Sequence, residues 1–134
     1  MVLGAVLVLF AVGCGGGGTL SAKALSQQAT TLQSLAAEGG LLAQDVVSGK
    51  TTRVFTRVHA SDLSKAASQG ETSLKAAKTT PSLDPKLRGL VKLAGQVSAD
   101  LKRLGKASKD EQRTLGRELL AAAQATKKLG AGGK

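Results

Sequence analysis

From Thr19 onward, apolar residues return at three-, four- and seven-residue intervals, the repeat of one face of an α-helix. Over residues 19–48 the repeating positions are Leu25, Leu32, Leu35, Leu42 and Val46, and Gly49 then supplies a C-terminal stop. A second helix is predicted from Thr51 or Thr52, either of which can cap it, to about Lys78. Its inward stripe reads Phe55, His59, Leu63, Ala66, Gly70, Leu74 and Ala77. Pro81 and Pro85 in "TTPSLDP" cannot continue a helix interior, so the run breaks there.

Asp84-Pro85 opens a third helix, with Asp as N-cap and Pro at the first helical position. Leu87, Leu90, Val91, Ala94, Val97, Leu101 and Leu104 make the cleanest stripe in the chain, and Gly105 closes it. The fourth helix begins at "SKDE", where Ser108 and Glu111 have capping-box spacing and Asp110 and Glu111 sit near the positive helix end. Leu115, Leu119, Ala122 and Leu129 continue inward until Gly130. Helices joined by a few residues pack as antiparallel neighbours. The pattern therefore predicts an all-α fold, an antiparallel four-helix bundle over residues 19–130 with a flexible tail at 131–134.

Gly39-Gly40 interrupts the first stripe in "LAAEGGLLAQ". Two glycines inside a helix cost roughly 2 kcal/mol relative to alanines, so their presence asks for a reason. Gly39 lies on the stripe, seven residues before Val46, which favours close helix contact over a hinge. The composition agrees with a helical core. Trp and Tyr are missing, and the two Phe are Phe10 and Phe55, so the interior must be built from Leu, Val and Ala.

The N-terminal stretch has a different character. Val2 to Val12 reads "VLGAVLVLFAV", without a charge or a hydrogen-bonding side chain. As a helix it would span about 16 Å, about half the hydrocarbon thickness of a bilayer, which is the length of the apolar region of an export signal. "AVGC" follows, then four glycines, and Cys14 is the only cysteine. A single thiol forms no internal disulfide and no thiolate metal cluster. The segment resembles the lipobox of bacterial lipoproteins, with Ala11 at a position where Leu is commoner. That resemblance implies a signal peptide over residues 1–13, cut before Cys14, whose sulfur carries a diacylglyceryl group. It also implies acylation of the new amino group and an address on the extracytoplasmic side of the bacterial cell envelope. Residues 14–18 are then the lipidated cysteine and a glycine tether. No Lys or Arg precedes the apolar run, so the true start is expected upstream.

Charge sharpens this reading. The formal net charge is +10, and from Lys50 onward eighteen Lys/Arg face seven Asp/Glu. Lys50, Arg53 and Arg57 fall near one face of the second helix, with Lys65 beyond them, and Lys109, Arg113 and Arg117 recur every four residues on the fourth. Lys86, Arg88 and Lys92 line the start of the third helix, and Lys102, Arg103 and Lys106 its end. The six anion-binding candidates are Lys50, Arg53, Arg57, Lys109, Arg113 and Arg117. With one aromatic after the leader, stacking platforms for bases are missing, and no nucleic-acid partner is expected. Anionic lipid headgroups or cell-envelope polymers suit the surface better.

Catalytic patterns are absent. His59 is the only histidine, with Asp62 one turn on, and no second His or available Cys stands ready to complete a metal site. The expectation is a core-edge histidine bonded to a neighbouring helix. No enzyme and no cofactor are predicted. The expected role is a lipid-anchored binding or scaffolding module, either monomeric or oligomeric. The alternative is a small-ligand or metal/cofactor carrier using the bundle interior near His59.

Overall fold

The computed structural model of the chain describes residues 19–131. Within them run four helices, α1 (Ala22–Val47), α2 (Arg53–Ala76), α3 (Asp84–Leu104) and α4 (Lys109–Ala131), with two short strands, β1 (Thr19–Leu20) and β2 (Lys78–Thr79). The expected leader, lipidated Cys14 and tether, and the tail from residue 132, lie outside the described residues. The fold is the expected all-α bundle, running up, down, up and down. α1 lies most extensively against α4 and α2 against α3, while α1–α2 and α3–α4 close the ring.

Local chemistry explains the ends. Ser21 caps α1 by accepting from the Ala24 N–H at 3.1 Å, so the helix begins three residues later than the apolar pattern suggested. Thr19 and Leu20 instead pair in parallel with Lys78 and Thr79, tying the start of α1 to the segment leaving α2. Gly49 ends α1 with φ 74°, while the N–H groups of Gly49 and Lys50 donate back to Val46 and Asp45. Of the two threonines, Thr52 caps α2 through the Phe55 N–H. Asp84 is the first residue of α3 rather than a side-chain cap, and pairs with Arg88 instead. Ser108 accepts from the Glu111 N–H, but the Glu111 carboxylate turns to Arg103, so only half of the capping box forms. α4 continues through Gly130 to Ala131, past the expected end of order.

The core is Leu and Ala, as the composition required, with Leu25, Leu90, Leu101, Leu104, Leu115 and Leu119 fully buried. Gly39 and Gly40 are buried within an unbroken α1. A Cβ on Gly39 would stand 2.5 Å from Leu101 Cδ2 and 3.2 Å from Leu119 Cδ1. One on Gly40 would stand 2.6 Å from Leu120 Cδ2, and one on Gly116 3.0 Å from the Ala43 Cβ. At both glycines α1 lies close against its neighbours, with no room for a side chain.

The inward face of α2 corrects the sequence reading. Thr56, Ala60, Leu63, Ser64, Ala67 and Leu74 turn inward, and Phe55 and His59 do not. Small residues win this face because they let α2 close on α3. Ser64 Oγ donates to the Ser98 carbonyl at 2.9 Å, and Ser98 Oγ returns a bond to the Ser64 carbonyl at 3.3 Å. Thr56 satisfies its hydroxyl on its own helix, at the Thr52 carbonyl. The three- and four-residue spacing in the sequence places Phe55 and His59 on the inward stripe instead.

Candidate functional site

The up-and-down path brings the end of α1, the start of α2, the end of α3 and the start of α4 to one end of the bundle. Basic residues occupy all but the first of these. Lys50 stands in the α1–α2 turn, Arg53 and Arg57 in the first turns of α2, Lys102 and Arg103 at the end of α3, Lys106 in the turn after it, and Lys109 and Arg113 at the start of α4. Cations scattered over the sequence thus gather at one end of the bundle.

Their surroundings separate them. Arg113 Nη1 holds Asp110 at 2.9 Å and Arg103 Nη2 holds Glu111 at 2.8 Å, so the two acidic residues in the first turn of α4 are engaged. Arg53 and Lys109 form no ion pair among the described residues. Both line an open pocket of about 290 Å³, with Val46, Val47, Ser48, Gly49, Thr51 and Gln112 making the rest of its wall. Arg57 lies on the α2–α3 side, where its backbone abuts Gly105. Arg117 sits about 12 Å along α4 from Lys109 and bonds Thr114 at 3.5 Å. Of the six candidates, only Arg53 and Lys109 converge on the pocket.

An apolar cluster adjoins these cations. Val54, Phe55 and Val58 on α2 are more than half exposed, as is Leu41 on α1. The pairing of Glu38 with His59 places Leu41 and Phe55 on the same stretch of the α1–α2 seam. Sequence reasoning missed this patch because it assigned Phe55 inward. The signal was Val54, Phe55 and Val58 at i, i+1 and i+4, a second apolar face one step round the helix from the buried one.

His59 sits at the outer edge of the same seam, not on an inward stripe. Its Nε2 lies 2.7 Å from Glu38 Oε1, and its ring stacks on Phe55 with centroids 5.4 Å apart. It is bonded to a neighbouring helix. No three His, Cys, Asp or Glu come together in a metal-holding group among the described residues. The cavity between α1, α2 and α3 at Leu32, Ala67 and Ala94 measures about 10 Å³, room for one water at most. Lys86, expected on the basic surface, is buried, its Nζ donating to Ser26 Oγ and to the Gly130 carbonyl near the end of α4.

Burial also sets apart Asp100 on α3. Its Oδ2 is enclosed with no hydrogen-bond partner among the described residues. Desolvation raises its pKa above the ordinary aspartate value, Glu118 adds to the rise, and Arg103 opposes it.

The fold is a small four-helix bundle that gathers cations and exposed apolar side chains at one end. No family model matches the chain, and no curated protein or solved structure matches it significantly. Among the described residues no helix is long and apolar enough to cross a membrane.

Proposed function

We propose that this chain is a lipid-anchored protein of the bacterial cell envelope whose helical bundle is a binding module for anionic surfaces. Cys14, lipidated, holds it at the membrane, and the glycines after it give the bundle reach. The basic end meets anionic lipid or an anionic envelope polymer. One observation carries the reading: cations from three helices and a turn gather at one end, beside exposed Val54, Phe55, Val58 and Leu41. Cations draw a domain toward anionic headgroups at about 1 kcal/mol each, and apolar side chains beside them enter the acyl boundary. Cations beside exposed apolar side chains support docking over mere solvation.

The bundle from Thr19 to Lys134 should bind vesicles containing anionic phospholipid and leave neutral vesicles, with affinity falling steeply as salt rises. Equal binding to both would remove the electrostatic reading. Mass spectrometry of the cell-derived N-terminus tests the anchor separately, since a bare Cys14 thiol on protein from the soluble fraction would end it.

A further inference from the structure

We propose that the pocket between the α1–α2 turn and the start of α4 is a binding site for a single phosphate group, held by Arg53, Lys109 and the side-chain amide of Gln112. This deepens the reading of the basic end, and rests on the same surface without requiring the lipid anchor.

Gln112 singles the pocket out. It is only 5 % exposed, yet its amide makes no hydrogen bond among the described residues, and it lines the pocket wall. Its amide is also absent from the enclosed, partnerless side-chain groups, where Asp100 Oδ2 stands alone, so the amide still meets water. A polar side chain this buried ordinarily finds a partner within the protein. The amide carries two N–H donors, and the pocket that Gln112 lines is where a ligand would take them.

The rest of the wall suits an anion. Arg53 presents a planar fork of donors and Lys109 a point charge, and no carboxylate pairs with either among the described residues. The nearby acids Asp110 and Glu111 are held by Arg113 and Arg103. Thr51 and Ser48 also line the wall, although the Ser48 hydroxyl already donates to the Gln44 carbonyl. α2 and α4 both start at this end, where first-turn N–H groups give a partial positive charge. Phosphate, with several acceptor oxygens on one tetrahedral centre, can take a guanidinium, an ammonium and an amide at once. An open pocket of about 290 Å³ has room for that group with its substituent left in solvent.

The test uses the full chain in zwitterionic detergent, with the Gln112 side-chain amide and the Arg53 guanidinium followed by NMR. Inorganic phosphate replaces chloride at constant ionic strength in one arm, and glycerophosphoglycerol, a soluble lipid headgroup, is added in the other. Saturable shifts at Gln112 and Arg53 are expected in at least one arm, and the tighter arm tells free phosphate from a headgroup. Gln112→Leu, which leaves every charge in place, should weaken that binding at least about tenfold. Gln112→Glu, which keeps the shape and adds a repelling carboxylate, gives the same answer should the leucine variant unfold. Shifts spread evenly over all exposed cations, or unaltered affinity in a folded Gln112 variant, would overturn the site. Loss of vesicle binding in the wild type with the pocket still titrating would overturn the docking reading instead.

Discussion

Replacing Gly39 by alanine sets two known effects against each other at one position. Alanine gains about 1 kcal/mol over glycine in a helix interior, since it loses less backbone freedom on folding. At Gly70 on α2 that gain comes free, because an added Cβ would meet nothing within 4 Å. At Gly39 the same Cβ would stand 2.5 Å from Leu101 Cδ2 and 3.2 Å from Leu119 Cδ1, whereas carbon atoms rest at about 3.5–4.0 Å. Leu101 and Leu119 are both fully buried, so neither can swing into solvent to make room. Overpacking of this kind costs about 1–3 kcal/mol. Subtracting the propensity gain leaves Gly39→Ala less stable than wild type by about 1 kcal/mol, and Gly70→Ala more stable by a similar amount. In a domain of this size each kilocalorie moves Tm by about 4 °C. Thermal melts followed by circular dichroism, with urea midpoints as a second measure, would read a gap of about 8 °C between the variants. If Gly39→Ala melts with or above Gly70→Ala, the close approach of α1 to α3 and α4 is not what holds glycine at that position.

Three further outcomes follow from other parts of the molecule. The Asp100 carboxyl titrates above its unfolded value, so the folded state holds the extra proton between the two; stability is greatest below the unfolded pKa and falls as pH rises through the folded one. Asp100→Asn should remove that fall and exceed wild type in stability at pH 7, and a variant that tracks wild type in urea midpoint from pH 4 to pH 7 would contradict the assignment. Phe55→Ser removes an exposed ring and should change stability by no more than about 0.5 kcal/mol while lowering affinity for anionic vesicles several-fold, as co-sedimentation would show; unchanged vesicle affinity would separate the apolar patch from docking. Lys86→Met keeps the buried stem and gives up two long hydrogen bonds of 3.4 and 3.3 Å along with a desolvated charge, so its denaturation midpoint should imply a stability within about 1 kcal/mol of wild type. A loss above about 3 kcal/mol would make that ammonium a required strut between α3 and the end of α4.

How far the sequence reached depended on which kind of information each feature carries. Periodicity and end chemistry are local, and they located four helices, the stop at Gly49, a cap at Thr51 or Thr52 and the α3 stripe, of which Leu87, Leu90, Ala94, Val97, Leu101 and Leu104 are buried and Val91 half-buried. The face of α2 was not local. Thr56, Ala60, Ser64 and Ala67 form the seam only because α3 offers Ser98 and closes to hydrogen-bonding distance, which no spacing within α2 encodes. The same shift put Phe55 and His59 outside and created the exposed patch with Val54 and Val58. Basic residues were visible as types and positions, but their grouping depended on the chain reversing three times.

By itself, the sequence determined that the domain is helical, built on leucine and alanine, strongly basic from Lys50 onward, and preceded by an apolar run, Val2 to Val12, with Cys14 just after it. Tertiary structure alone decided that Arg53 and Lys109 share a pocket wall, and that Arg113 and Arg103 are held by Asp110 and Glu111. It also brought Gln112 into the wall of a pocket shared with the α1–α2 turn. The physical reason is the range of the forces involved. Helix formation is set by hydrogen bonds spanning four residues, whereas burial and ion pairing depend on neighbours that only the packed bundle supplies.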